Sequence, residues 1–221
     1  MSDAKEGLPA TGKTTRVAII VAHPNDETLW AGGLLLNHPE WSPFVLTLCR
    51  GGDSDRVPRF VQALDRLDSM GAMGNLDDGA DQYPLSTKRV QDTIMSLLPR
   101  WDFDLLLTHA PQGEYTWHRR HGEVSRAVRE LWQEGQLPAS GLWQFAYEDG
   151  GGAYAPRPQQ NTSLRLPLSE AVWARKFGIV TEVYGFDAAS WEARAANRTE
   201  AFNCFKDRDS SHAHCDRAFS H

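Results

Sequence analysis

Three short apolar runs with no alternation set the frame of the chain. Arg16-Val-Ala-Ile-Ile-Val-Ala-His23, Phe44-Val-Leu-Thr-Leu-Cys49 and Asp104-Leu-Leu-Leu-Thr108 are too short for helices and rich in branched side chains. This is the pattern of strands buried on both faces of a parallel sheet. Amphipathic segments separate them. Residues 27–36 read as a helix; 59–73 carry Phe60, Ala63, Leu64 and Leu67 at helical spacing and close at Gly71 and Gly74; 87–98 stop before Pro99. Val124, Ala127, Val128 and Leu131 mark another helix after the third run. Strands alternating with helices predict an α/β chain, a single Rossmann-like domain with a mostly parallel sheet flanked by helices. Further on, the Gly- and Pro-rich stretch 148–161 predicts a long loop, 167–177 a helix, 179–186 one more strand and 190–205 a terminal helix. Residues 1–15 read as a flexible leader, 16–209 as the domain and 210–221 as a frayed tail.

Composition narrows the function classes. With 221 residues, 41% apolar and 24% charged, the chain can bury a full core, which excludes disordered and disulfide-scaffold classes. Its 23 Lys and Arg against 29 Asp and Glu leave a net charge of −6, a field that repels phosphate backbones, so nucleic acid is not an expected partner. Cys49, Cys204 and Cys215 form no Cys-x-x-Cys pair, which suits a reduced, cytoplasmic chain. No apolar run approaches the ~20 residues of a membrane span. The stretch Gly7-Leu-Pro-Ala-Thr-Gly-Lys-Thr14 fits a phosphate-loop pattern, but it precedes the first strand and no helix follows, so it reads as a chance match. His212, His214 and Cys215 have metal-like spacing on a tail without a scaffold. A homo-oligomer is compatible with all of this.

Candidate chemistry lies where strands end. His23 closes the first strand, at the carboxyl edge where open α/β sheets bind ligands, and Asp26 follows across a turn. The pair offers two ligands to a divalent metal, or else Asn25 or Asp26 caps the helix and His23 bonds locally. After the third run comes Thr108-His-Ala-Pro-Gln-Gly-Glu-Tyr-Thr-Trp-His-Arg-Arg-His121. His118 and His121 stand at i and i+3, and Val124 and Val128 continue the face of His121 inward.

These segments resemble the N-acetylglucosaminyl-phosphatidylinositol de-N-acetylase (PIG-L/LmbE-like) family, whose signature is Ala-His-Pro-Asp-Asp-Glu after the first strand and a later His-x-x-His. The similarity runs from about Arg16 to Phe205 and takes in Leu48-Cys-Arg-Gly-Gly-Asp-Ser-Asp-Arg56, Gly-Glu-Tyr-Thr-Trp-His118 and Tyr184-Gly-Phe. It implies a zinc-dependent hydrolase that removes the acetyl group from an N-acetylglucosamine-type amino sugar or conjugate, with one Zn2+ on His23, Asp26 and His121. By the same resemblance His118 stabilises the oxyanion and helps to protonate the leaving amine. Asp53, Arg56, Glu114, Tyr115 and Trp117 become candidate substrate contacts. For Asp53 and Arg56 a turn-forming cluster is the equal alternative, and Trp117 would stack on a sugar face. Residues 147–154 read as a lid or as a plain surface loop, and Trp30, Trp101, Trp132 and Trp173 as packing residues.

The sequence departs from the signature at one telling place. Where the family has its first aspartate, the group that takes the proton from the attacking water, this chain has Asn25. Loss of a general base commonly costs ~10²–10⁴ in rate. The chain is then a base-depleted deacetylase, a silent zinc- and ligand-binding protein, or an enzyme with a substitute base at Glu27 or Glu114. A non-sugar amide is the remaining alternative substrate. Arg120 stands where many relatives are acidic, which removes an expected orienting partner of His118.

Overall fold

The computed structural model describes residues 14–116, 118–206 and 208; Trp117, most of the leader and the 210–221 tail with His212, His214 and Cys215 lie outside them. The elements run β1 (Arg16–Val21), α1 (Asp26–Asn37), β2 (Ser42–Cys49), α2 (Arg56–Arg66), β3 (Met70–Leu76), α3 (Thr87–Leu97), β4 (Leu105–Thr108), α4 (Arg119–Gln133) and β5 (Gly141–Phe145). They continue through β6 (Tyr147–Glu148), β7 (Arg157–Pro158), β8 (Leu164–Pro167), α5 (Glu170–Gly178), α6 (Trp191–Ala195) and β9 (Thr199–Phe205). Seven strands form one sheet in the order β3-β2-β1-β4-β5-β9-β8, and β6 with β7 makes a separate hairpin. The first five strands are parallel, while β9 and β8 join antiparallel.

The apolar runs form central strands because both of their faces are covered. Val17, Ile19 and Val21 pack with Trp30 and Leu34 of α1 and Phe60 of α2, while Ala18 and Ile20 pack with Val90 and Ile94 of α3 and Val128 and Leu131 of α4. The chain leaves β1 toward β2 and β3 on one side, and β4 and β5 extend the sheet on the other. The order therefore reverses between β1 and β4, the switch point where such sheets open a crevice at their carboxyl ends.

Three predicted elements differ. The helix expected over 59–73 begins at Arg56, ends at Arg66, and gives way to β3. Gly71 and Gly74 are strand residues whose absent side chains let the backbones close up: a Cβ there would lie 2.5 Å from the Val45 carbonyl and 2.8 Å from that of Leu48. Met-Gly-Ala-Met-Gly carries no branched residue and so gives no strand signal. The strand expected over 179–186 is a π-helical turn, Ile179–Val183, that continues α5 and buries Ile179, Val180 and Val183. The terminal helix expected over 190–205 is a short helix that stops at Ala195, and Thr199–Phe205 is β9. In β9, Phe202 and Cys204 face one core layer and Phe205 the other, a strand alternation that the helical reading overlooks.

A buried ion pair ties this last strand to α1. Glu200 Oε1 accepts from Lys176 Nζ and from the Gly33 N–H, both at 2.7 Å, and its Oε2 accepts from the Leu34 N–H at 2.7 Å. All of these groups are enclosed, so neutralising one partner strands the other. Glu200→Gln should lower stability by about 3–5 kcal/mol in denaturant unfolding, as for other broken buried pairs. A variant as stable as the parent would show that Lys176 finds water.

Candidate metal centre

The crevice at the ends of β1 and β4 holds four histidines, His23, His109, His118 and His121, and three carboxylates bonded to them, Asp26, Asp78 and Glu114. His23 Nδ1 lies 3.2 Å from Asp26 Oδ2, His121 Nε2 lies 3.5 Å from the same oxygen, and the two nitrogens are 3.3 Å apart. Ligand bonds of 2.0–2.2 Å in a tetrahedron require edges of ~3.4 Å, so this triangle fits a zinc ion without rearrangement.

Each corner of the triangle is oriented from behind. Glu114 Oε2 accepts from His121 Nδ1 at 2.7 Å, which leaves the His121 Nε2 lone pair facing the triangle. Asp78 Oδ1 lies 3.0 Å from His23 Nε2 and does the same for Nδ1 of that ring. The Asp26 carboxylate accepts from Trp30 Nε1 at 3.2 Å through Oδ1 and from the His23 N–H at 2.8 Å through Oδ2. Burial opposes the charge on His23, but its hydrogen bonds to Asp26 and Asp78 prevail and push its pKa up to about 9. A metal bound to Nδ1 must displace that proton. Burial also opposes the charge on Glu114, yet His109 and His121 bring it down to about 2, and it stays ionised.

Two other groupings of ligand-type residues are less suitable. Asp26, His109 and His121 lie together, but His109 Nε2 accepts from the Ala22 N–H at 2.9 Å and its Nδ1 bonds Glu114 Oε2 at 2.8 Å, so neither ring nitrogen is free. His23, Cys49 and Asp78 also cluster, but there His23 presents the nitrogen already held by Asp78. Burial pushes the Cys49 thiol up to about 12, so it stays protonated.

His118 forms a further grouping with His23 and His121, its ring nitrogen within 4.8 Å of theirs. Its Nε2 is 3.3 Å from Gln82 Nε2, and its Nδ1 is enclosed with no partner among the described residues. Burial and the neighbouring His121 and His23 lower its pKa to about 4, so the imidazole is neutral near pH 7. Asn25 has φ 134°, a region that costs a non-glycine residue about 1–3 kcal/mol. Its N–H donates to Glu27 Oε2 at 3.0 Å and its carbonyl accepts from Thr28 and Leu29, which hold the turn.

A cavity of about 190 Å³ opens over this group. It is lined by His23, Pro24, Asn25, Asp26, Leu29 and His118 together with Arg50, Arg56, Asp78, Tyr115, Phe186, Trp191 and Glu192. Among the sequence candidates, Asn25, Arg56, Tyr115 and His118 thus line one space with His23 and Asp26, while His121 is fully buried and does not line it. Arg56 lies 5.2 Å over the Phe186 ring.

Glu114 is not on that wall: it is fully enclosed and spent on His109, His121 and the Ala110 N–H, a positioning rather than a substrate-facing place. Asp53 is absent too; it accepts from the Asp55 and Arg56 N–H groups and from Arg50 Nη1, the turn-forming alternative. Glu27 is enclosed and accepts from Asn25, Thr28 and Tyr184. None of residues 147–154 lines the cavity, although Asp149 accepts from Thr116 in the loop before His118. Trp117 lies outside the described residues.

Sequence reasoning misses His109, Asp78, Gln82, Phe186, Trp191 and Glu192. His109 is accessible to it, since it directly follows β4. Asp78 and Gln82 follow β3, which carries no strand signal, and the last three sit where a π-helical turn and a short helix replace the expected strand and long helix.

No protein-family profile matches the chain. Uncharacterized protein L374 of Acanthamoeba polyphaga mimivirus is 21% identical over 127 residues, 51% of this chain and 56% of the relative, so the chain spans about half the length of that curated relative. Solved structures match over more of the chain. N,N′-diacetylchitobiose deacetylase from Pyrococcus horikoshii superposes with a TM-score of 0.66 at 14% identity, covering 88% of this chain and 85% of the other. The zinc-inhibited form of teicoplanin deacetylase Orf2 gives 0.58 at 17%, covering 77% and 84%. GalB, the 4-carboxy-2-hydroxymuconate hydratase of Pseudomonas putida KT2440, gives 0.55 at 16%, covering 82% and 84%. The chain shares the fold of these deacetylases, as the sequence resemblance implied, and that fold also serves a hydratase.

Proposed function

We propose that the protein is a zinc-dependent hydrolase built to remove the acetyl group from an N-acetylglucosamine-type amino sugar or conjugate, with turnover held down by Asn25. The observation that carries the reading is the triangle of His23 Nδ1, Asp26 Oδ2 and His121 Nε2 at 3.2–3.5 Å, because it matches a three-ligand zinc site that leaves one position open. The deacetylase neighbours support the acetamide; the hydratase shows that the fold alone does not choose the reaction. A zinc ion held there would polarise the acetamide carbonyl and acidify a water.

The chain's own groups supply the rest. His118 is neutral and lines the cavity, and with its proton on Nε2, released from the Gln82 amide, it can donate to the oxygen that becomes negative as the carbonyl is attacked. Asn25 can orient the attacking water but has no basic oxygen to take its proton. Tyr115, Phe186 and Trp191 offer aromatic walls, and Arg56 and Glu192 polar ones, suited to a pyranose with an apolar face and hydroxyl edges. About 190 Å³ is below the ~300–1,000 Å³ of drug-sized sites, which favours one sugar ring with any conjugate outside.

A second reading, favoured by Asn25 itself, is a zinc- and ligand-binding protein without turnover. Acetate release from an N-acetylglucosaminide by the zinc-loaded chain tests the first reading. Saturable sugar binding with no acetate release, even from Asn25→Asp, would leave the second. His118→Ala, made in the Asn25→Asp background, should keep zinc and lose most activity. Zinc loss from that variant would instead make His118 a ligand.

A further inference from the structure

We infer that Arg120 is a positioning residue that clamps the segment 77–85 over the metal centre and, through Asp78, keeps His23 oriented as a ligand. The inference rests on the assignment of His23 to the metal. The segment between β3 and α3 has no sheet or helix bonding, yet it carries two groups that touch the site. Asp78 Oδ1 is 3.0 Å from His23 Nε2, and Gln82 Nε2 is 3.3 Å from His118 Nε2.

What holds the segment is mostly Arg120, on the first turn of α4 beside His121. Its guanidinium is 1% exposed and bonds in four directions. Nε donates to the Asp77 carbonyl, Nη2 to Asp77 Oδ2 at 3.1 Å and to the Tyr83 carbonyl at 2.9 Å, and Nη1 to Glu123 Oε2 at 2.6 Å. The other Glu123 oxygen accepts from the Leu85 N–H at 3.0 Å, so Arg120 and Glu123 grip the segment at both ends. A guanidinium cannot shed its charge when buried, and its planar fork satisfies two carbonyls and two carboxylates at once, which an ammonium cannot. Arg50 also reaches Asp78, at 3.3 Å, but its side chain is 45% exposed, so that contact restrains little. The clamp thus couples the turn bearing His121 to the carboxylate that fixes His23, two residues that lie 98 positions apart.

Carboxylates behind a ligand histidine are worth ~10–100-fold in metal affinity. Zinc affinity of the metal-stripped chain, measured by chelator competition, should fall ~10-fold or more in both Arg120→Met and Asp78→Ala. The Arg120→Met/Asp78→Ala double variant should fall little further, since both changes remove one device. Cobalt(II), used as a visible-light probe, should show the same altered spectrum in all three. Added guanidinium should restore zinc affinity to Arg120→Ala but not to Asp78→Ala. If Arg120→Met does not fold, Arg120→Lys replaces it, with a smaller loss expected. Parental affinity in the Arg120 variant beside a weakened Asp78→Ala would overturn the inference, as would additive losses in the double variant. His23→Ala is the control: if it binds zinc as the parent does, the ligand assignment fails, and the inference with it.

Discussion

Asn25→Asp should raise the deacetylation rate by ~10²-fold or more while leaving substrate affinity nearly unchanged. On the proposed reading this side chain holds the place of the base. Asn25, at φ 134°, lines the cavity with His23 and Asp26, and the Glu27 carboxylate receives its N–H. An amide and a carboxylate have almost the same shape, so the turn, the triangle and the walls should survive the exchange. What changes is one oxygen that can now accept a proton. Zinc content should be equal in the two proteins because no ligand is altered. The two substitute bases suggested by the sequence are badly placed. Glu27 is covered by three donors, Glu114 lies behind His121, and neither lines the cavity. Besides Asp26 and Asp78, the carboxylate that does is Glu192, on α6. Rates on one N-acetylglucosaminide, each measured at saturating zinc, for the parent, Asn25→Asp, Glu27→Gln, Glu114→Gln and Glu192→Gln therefore separate the cases. A parent that is already fast, and that one glutamate substitution silences, would refute the role given to Asn25.

How far the sequence can be read follows from the kind of signal each element carries. Runs such as Val17–Val21 are apolar on both faces only if two layers cover them, so the central strands and the crevice at their ends are legible. The His23 and His121 positions follow, because a strand end and a helical i, i+3 spacing place a side chain without any tertiary knowledge. Elements at the periphery are not legible in that way. β3 is Met- and Gly-rich because its backbone packs against β2, so its strand character lies in what side chains it lacks. The turn at Ile179–Val183 and β9 swap the patterns expected of strand and helix, because α1 and the antiparallel edge provide the cover there. The orienting residues are harder still. Glu114 reads as a substrate contact or a substitute base, and only the fold reveals two imidazoles bonded to its carboxylate. Trp30 reads as packing, which it is, but its Nε1 also fixes Asp26. Partnerships of that kind span unrelated segments and leave no periodicity.

His121→Ala should lose zinc by more than the ~10–100-fold that removal of an orienting partner costs, and lose any hydrolytic activity with it. On the proposed assignment the site rests on three protein ligands, and the variant leaves His23 and Asp26 with only two candidate replacements, His109, whose Nε2 is committed to the Ala22 N–H, and His118, to which the proposal gives the oxyanion instead. The damage extends behind the ligand. Glu114 is fully enclosed and shares Oε2 between His109 and His121, so the variant leaves that carboxylate with one imidazole donor fewer. Glu114→Gln probes the same axis more gently. Oε1 accepts from the Ala110 N–H and Oε2 from two imidazole N–H groups, so every contact needs an acceptor, and an amide nitrogen in either place faces a donor. That variant should fold with reduced stability and bind zinc ~10–100-fold more weakly, between the parent and His121→Ala. Elemental analysis after dialysis, together with chelator competition, gives the order directly. The assignment fails if His23→Ala/Asp26→Ala/His121→Ala retains zinc as the parent does. It needs revision toward His109 if His121→Ala alone keeps full affinity, because that residue has the remaining imidazole within 3.5 Å of Asp26.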